Sequence, residues 1–120
     1  MLIVDHDMRS CVSLKLMFLD LGYRSTRTTY TANRALALIN GFSPTLVLLE
    51  LDLPDMSVYR LAQLMRMYAQ TIVCRFRLIA MVGREAHASG ELVRAAGFDG
   101  YLAKPIRPPA LDHVLQSLRL

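Results

Sequence analysis

The chain has few of the residues that build disulfide frameworks or thiolate metal sites. Its two cysteines, Cys11 and Cys74, lie far apart and form no C-x-x-C pair. We therefore interpret both as buried or half-buried thiols and not as a disulfide or a metal site. Lysine is also scarce, because it occurs only as Lys15 and Lys104, and most of the positive charge comes from arginine.

Long hydrophobic runs are absent too. The first apolar stretch, residues 1–4, is followed at once by Asp5, and the later runs are nearly as short. A membrane-spanning helix needs about 20 apolar residues, and a signal peptide needs an apolar segment of about 7–15 residues. We therefore expect a soluble, cytoplasmic domain that has no membrane partner.

Composition and length indicate one folded domain. The 120 residues are 53% hydrophobic and the mean hydropathy is +0.30, which argues against disorder. We expect residues 1–120 to form a single domain. The formal net charge is +4 and the arginines are scattered. Scattered charges are typical of a solvated surface or of a face for an acidic protein, and less of direct nucleic-acid binding.

Five short apolar segments alternate with five segments of helical periodicity. The predicted strands cover residues 2–4, 23–28, 46–49, 78–82 and 98–103. The predicted helices cover residues 8–21, 31–41, 55–68, 85–96 and 108–118. This alternation predicts an α/β fold with a parallel sheet and helices on both faces. Right-handed crossovers would place the carboxyl ends of all five strands on one edge of the sheet.

The segment T-L-V-L-L-E-L-D-L-P-D, residues 45–55, is central to the functional interpretation. Its unbroken apolar run predicts a strand buried on both faces, and the strand ends in the carboxylate of Glu50. Ligands of open parallel sheets bind just beyond the carboxyl ends of the strands. The other strand ends carry Asp5 and His6, Val82 and Lys104.

Three phrases in the chain resemble a known family. They are L-I-V-D-H-D at the first strand, L-V-L-L-E-L-D-L-P-D-M at the third, and A-G-F-D-G-Y-L-A-K-P at the fifth. They are similar to the receiver domains of two-component response regulators, over nearly the whole chain. The resemblance implies a flavodoxin-like sheet of order 2-1-3-4-5, with two helices on one face and three on the other. It also implies a cis bond between Lys104 and Pro105.

The resemblance assigns a role to each strand end. In that family an aspartate at the third strand accepts a phosphoryl group from a kinase histidine, and an acidic pair after the first strand holds Mg²⁺. A threonine or serine after the fourth strand and a lysine after the fifth bind the phosphoryl oxygens. The corresponding positions here are Glu50 (acceptor), Asp5 and His6 (acidic pair), Val82 (threonine or serine), Lys104 (lysine) and Tyr101 (switch aromatic).

Three of these positions depart from the family pattern. Glu50 carries one more methylene than aspartate, so its carboxylate would reach about 1–1.5 Å farther, and errors of this size can cost about a hundredfold in rate. His6 offers a nitrogen where Mg²⁺ prefers oxygen. Val82 has no hydroxyl for a phosphoryl oxygen. We therefore predict no efficient phosphorylation, no catalytic residue, no cofactor and no Mg²⁺ binding.

Two interpretations of the pocket remain open. Glu50 could pair with Lys104 and mimic the phosphorylated state, or it could be an inert structural carboxylate. His6 could ligate Zn²⁺ together with Asp5 and Glu50, but three ligands without a second histidine or a cysteine are a weak signal, so we predict no metal. Because the hydroxyl that couples to the switch aromatic is missing, we expect Tyr101 to keep one rotamer.

We conclude from the sequence that the chain is an atypical receiver and not an enzyme. It would act through a protein partner or output domain on the face formed by helix 4, strand 5 and helix 5, which carries Arg84, Arg94 and Arg107. A histidine kinase or a second copy remain alternative partners. Two other functions stay open: a receiver that accepts phosphate on Glu50, and a small flavodoxin-like ligand binder. A ligand binder of this fold would need a glycine-rich phosphate loop after the first strand, and this sequence has none there.

Overall fold

Five short strands occupy the centre of the fold. They are β1 (Leu2–Val4), β2 (Arg27–Thr29), β3 (Leu46–Glu50), β4 (Arg77–Val82) and β5 (Gly100–Ala103). All pair in parallel and form one sheet in the order β2-β1-β3-β4-β5. The computed structural model describes residues 1–41, 44–71, 76–83 and 90–118. The predicted fold class and strand order are confirmed.

Five helices connect the strands. They are α1 (Met8–Asp20), α2 (Ala32–Gly41), α3 (Val58–Thr71), α4 (Gly90–Ala95) and α5 (Pro108–Ser117). The starts of α1 and α2 follow helix-capping chemistry, because Asp7 accepts from the backbone N–H of Arg9 and Thr31 from that of Arg34. The first part of the predicted fourth helix, residues 85–89, lies outside the described residues.

The helices form two layers around the sheet, and each layer closes its own hydrophobic core. One core joins α2, α3 and α4 to one face of the sheet. The other joins α1 and α5 to the opposite face. The strand β3 is buried along its whole length, because it has a neighbour on each side and helices on both faces. The predicted division of two helices and three is therefore present.

The strand register brings the functional positions to one edge. Val4 pairs with Leu49, so Asp5 follows β1 at the level of Glu50. Val82 pairs with Ala103, so Lys104 follows β5 at the same edge. Since β3 is the central strand, its end lies between those of β1 and β4.

The first helix is present as predicted but buries only part of its apolar residues. Cys11, Leu14 and Phe18 are its buried residues. Val12 and Leu16 are 54% and 56% exposed. A buried face needs a spacing of three and four residues, which positions 11, 14 and 18 provide. Met8 and Leu19 are exposed as well, whereas Met17 is partly buried and packs against the core.

The thiol of Cys11 lies in the core as predicted, and burial raises its pKa to about 11. Cys74 lies outside the described residues. Within the described ranges, none of the helices combines the length and the apolar character that a bilayer crossing requires.

Two loop carboxylates accept hydrogen bonds from backbone N–H groups of a helix and a strand and so hold their loops in place. Asp55, in the loop after β3, accepts from the backbone N–H groups of Ala32 and Asn33 at 2.9 and 3.0 Å. It therefore caps α2 from outside the helix, and these two hydrogen bonds hold its pKa below the ordinary value. Asp99, before β5, accepts from the backbone N–H of Leu78 and from the Arg66 guanidinium, each at 2.8 Å.

We expect Asp99→Ala to destabilise the domain by about 1–3 kcal/mol, because it leaves the N–H of Leu78 without its acceptor at the start of β4. Asp99→Asn should lose less, because its amide oxygen can still accept from that N–H. Chemical denaturation would measure both values. Asp52→Ala, which removes an exposed carboxylate, is the control and should change stability little. Equal losses in all three variants would contradict this role of Asp99.

Candidate functional site

Asp5 forms the buried floor of the pocket at the carboxyl edge of the sheet. Its backbone N–H extends the pairing of β1 by donating to the carbonyl of Thr29. Its side chain is fully buried, and each carboxylate oxygen has its own partner. Oδ1 accepts from the backbone N–H of Asp7 at 2.9 Å, and Oδ2 accepts from Lys104 Nζ at 2.6 Å.

Glu50 lies beside Asp5 and is also buried, with 6% of its surface exposed. Its Oε1 accepts from Lys104 Nζ at 3.1 Å. Its Oε2 accepts from the backbone N–H of His6 at 2.9 Å and lies 2.5 Å from His6 Nδ1. Both oxygens of the carboxylate are therefore engaged by groups of the protein itself.

Lys104 is the cation shared by the two carboxylates. Its backbone N–H donates to the carbonyl of Val82 at 2.8 Å, and the peptide bond to Pro105 is cis. The side chain is 21% exposed and its ammonium lies between Asp5 and Glu50. One positive charge thus faces two buried negative charges, and the backbone donors of His6 and Asp7 provide the remaining compensation.

The protonation states follow from burial and from these contacts. Burial raises the pKa of Asp5 above its ordinary value. Burial also acts to raise the pKa of Glu50, but the hydrogen bonds from His6 and Lys104 outweigh it and keep the pKa below the ordinary value. Burial acts to lower the pKa of Lys104, and the two carboxylates outweigh it and raise the pKa. The hydrogen bond to Glu50 raises the pKa of His6.

The remaining receiver-like positions differ in exposure. Val82 is half-buried at the end of β4 and carries no hydroxyl group. Tyr101 projects outward from β5 and is 60% exposed. Of the two other acidic residues after β3, Asp52 is exposed and Asp55 is bound to α2.

These residues do not suit the Mg²⁺ ion that the resemblance implies. At the second position of the acidic pair, His6 Nδ1 and not a carboxylate lies next to Glu50, and the Lys104 ammonium is bonded to both acidic side chains. Mg²⁺ requires nearly octahedral oxygen coordination and gives up its water ligands reluctantly. An imidazole nitrogen in place of a carboxylate oxygen is a poor ligand for such an ion.

A groove of about 480 Å³ lies between α1 and the segment from Lys104 to Ile106, which precedes α5. It is lined by Arg9, Ser10, Ser13, Leu14, Met17, Gly83, Lys104, Pro105 and Ile106. The described part of the chain offers no glycine-rich loop there that could wrap a phosphate, because residues 5–9 contain no glycine.

Comparison with known proteins identifies the family. Residues 1–116 match the family of response regulator receiver domains, and the chain belongs to that family. The comparison with curated protein sequences finds no match.

Solved structures agree in fold. A response regulator receiver domain protein from Methanospirillum hungatei is 28% identical, covers 98% of this chain and 90% of its own, and has a TM-score of 0.83. A response regulator from Chloroflexus aurantiacus, described as putative, is 25% identical, with 99% and 96% coverage and a TM-score of 0.84. A receiver domain from Methylobacillus flagellatus is 26% identical, with 98% and 95% coverage and a TM-score of 0.83.

The structure brings together most of the residues that the sequence singled out. Asp5, His6, Glu50 and Lys104 form one continuous network, and the Glu50–Lys104 ion pair is present. Sequence reasoning missed that Asp5 is the nearer partner of Lys104, and that His6 donates to Glu50 through its backbone. The shared edge of the parallel sheet was the signal for the first contact, because the strand register brings the residues after β1, β3 and β5 to that edge.

We expect Lys104→Met to cost about 3 kcal/mol of stability near neutral pH, the lower end for a buried ion pair that loses one member. Without Lys104, the folded-state pKa values of Asp5 and Glu50 rise. Stability is then retained at low pH and lost as the pH rises through those values. The deficit relative to the wild type should therefore be smaller at about pH 4 than at about pH 7.

Urea denaturation at both pH values would measure this effect. Lys15→Met is the matched control, because Lys15 is exposed on α1 and is the other lysine of the chain. A Lys104→Met deficit that is the same at both pH values, or no larger than that of Lys15→Met, would show that the ammonium does not compensate the two carboxylates.

Proposed function

We propose that this receiver domain signals through protein–protein contact without being phosphorylated, and that Glu50 supplies a permanent negative charge at the acceptor position. The observation that supports this proposal most strongly is the engagement of both Glu50 oxygens by Lys104 and His6. In relatives that accept a phosphoryl group, the corresponding carboxylate must have an oxygen free to attack phosphorus.

Several features oppose phosphoryl transfer at Glu50. A carboxylate that attacks a phosphoryl group is an anion approaching an anion, so the site must supply positive charge and oxygen-binding donors. Here the ammonium of Lys104 is already divided between Asp5 and Glu50. Val82 adds no hydroxyl, and the pocket is poorly suited to Mg²⁺. The site therefore lacks three parts of the phosphoryl-transfer apparatus.

The same features favour a single conformational state. In relatives, a phosphoryl group shifts the population of a two-state element, in which a threonine or serine moves towards the phosphate and an aromatic residue turns inward. Val82 has no polar group to make that movement, and Tyr101 is 60% exposed. We infer that Tyr101 keeps this outward rotamer and that the Glu50–Lys104 pair stabilises the domain in one state.

The partner surface proposed is the face of α4, β5 and α5. Receiver domains interact with proteins, kinases among them, and this face carries exposed Tyr101, Arg94 and Arg107. Arg84, which the sequence places on the same face, lies outside the described residues. Aromatic and arginine side chains are enriched in protein interfaces, and two exposed guanidinium groups favour an acidic partner surface.

The proposal predicts the outcome of a phosphorylation test. The wild-type domain, incubated with acetyl phosphate and Mg²⁺, should show no added phosphoryl mass by intact-protein mass spectrometry. A variant that carries Glu50→Asp, His6→Asp and Val82→Thr together should gain one phosphoryl group, because Asp5 and Lys104 already occupy their places beside the acceptor. Each sample should first be shown to be folded by circular dichroism.

The matched control is the same background with Glu50→Asn in place of Glu50→Asp, which has no carboxylate to modify and should gain nothing. A phosphoryl group on wild-type Glu50 would overturn the proposal and support the alternative of a phosphorylatable receiver. Failure of the triple variant to react would show that the three departures are not what prevents the chemistry.

A further inference from the structure

We propose that the pocket of Asp5, His6 and Glu50 binds a Zn²⁺-like divalent transition-metal ion in preference to Mg²⁺. The proposal goes beyond the signalling function above and does not depend on it. It starts from the disagreement between the residues present and the Mg²⁺ ion expected in the family. The donor set of one imidazole nitrogen and two carboxylates is unsuited to Mg²⁺, whereas Zn²⁺ accepts both histidine nitrogen and carboxylate oxygen as ligands.

The three side chains are already close enough to share one ion. Their potential ligand atoms all lie within 4.8 Å of one another. His6 Nδ1 lies 2.5 Å from Glu50 Oε2 and 3.9 Å from Asp5 Oδ1. Ligands about 2.0–2.1 Å from a tetrahedral zinc ion lie about 3.3 Å from one another, a value between these two distances.

Lys104 does not occupy the atoms that the ion would use. Its ammonium bonds Oδ2 of Asp5 and Oε1 of Glu50. The opposite oxygens, Oδ1 of Asp5 and Oε2 of Glu50, face His6. Each carboxylate can therefore bridge, with one oxygen on the lysine and the other on the metal. The ion would take the place of the hydrogen bond between His6 and Glu50.

The backbone holds the two oxygens in position. The N–H of Asp7 donates to Oδ1 of Asp5, and the N–H of His6 donates to Oε2 of Glu50. Such outer partners orient metal ligands and are a regular part of zinc sites. The two carboxylates are buried, whereas the His6 side chain is 52% exposed. One side of the site is thus open to solvent, which leaves room for a water as the fourth ligand.

The net charge of the pocket is compatible with a divalent cation. With neutral His6, the pocket contains two carboxylates and one ammonium, so its net charge is negative. A divalent cation would reverse that sign, and the buried oxygens would gain a second positive neighbour. Cys11 is not required as a ligand, because its thiol is buried in the core and donates to the carbonyl of Asp5.

Isothermal titration calorimetry on the tag-free domain tests the proposal, with ZnCl₂ and MgCl₂ as separate titrants and Cys74→Ser as the background. We expect one Zn²⁺ per chain and weaker or no binding of Mg²⁺. His6→Ala should raise the dissociation constant for Zn²⁺ about a hundredfold or more, since the loss of even an outer partner costs about 10–100-fold. His113→Ala, which removes an exposed histidine on α5, should leave binding unchanged.

Two further measurements complete the test. His6→Asp, which restores a third carboxylate, should lose the preference for Zn²⁺ and gain Mg²⁺ binding. Co²⁺ should give the visible absorption of a tetrahedral site without the near-ultraviolet band of a thiolate ligand. The proposal is wrong if wild-type Mg²⁺ binding equals that of Zn²⁺, or if His6→Ala binds Zn²⁺ as tightly as the wild type. Loss of the His6 effect would leave the phosphorylation proposal untouched, whereas Mg²⁺ binding to the wild type would also remove one of the features that oppose phosphoryl transfer at Glu50; the acetyl phosphate test distinguishes the two failures.

Discussion

The ammonium of Lys104, shared between Asp5 and Glu50, is the interaction on which the pocket depends. Two carboxylates taken out of water cost free energy unless a cation and hydrogen bonds compensate them. Here one lysine from the last strand and two backbone N–H groups after the first strand provide that compensation. These contacts join the ends of β1, β3 and β5. The strand order therefore brings the charges together, and their attraction in turn stabilises this edge of the sheet.

Much of the fold could be predicted from the sequence, and the reason is the regularity of parallel α/β structure. The unbroken apolar run before Glu50 indicated a central strand. The alternation of short apolar segments with segments of helical periodicity indicated the crossover helices. The exposed flank of α1 could not be predicted in the same way. Val12 and Leu16 are as apolar as core residues but are exposed. Only the position of the helix on the sheet decides which of its apolar flanks is buried.

The site was predictable in its membership and less so in its contacts. Strand ends in parallel sheets meet, so Asp5, His6, Glu50 and Lys104 were expected to be neighbours. Which carboxylate oxygens of Asp5 and Glu50 face Lys104 and which face His6 depends on side-chain rotamers, and no sequence pattern encodes these. The capping of α2 by Asp55 was missed for a similar reason. The cap comes from a loop 22 to 23 residues away in sequence, whereas capping signals are read from adjacent residues.

The distance along the chain between the members of the ion pair has a consequence for how the domain is assembled. Asp5 and Lys104 are 99 residues apart. During synthesis, the first four strands would emerge with both acidic side chains and without their counter-ion. A nascent chain that stops before β5 would therefore have to leave those carboxylates hydrated or protonated, and the sheet edge could not close. Formation of β5 thus completes the sheet, and Lys104, which follows it, compensates the charge of Asp5 after β1.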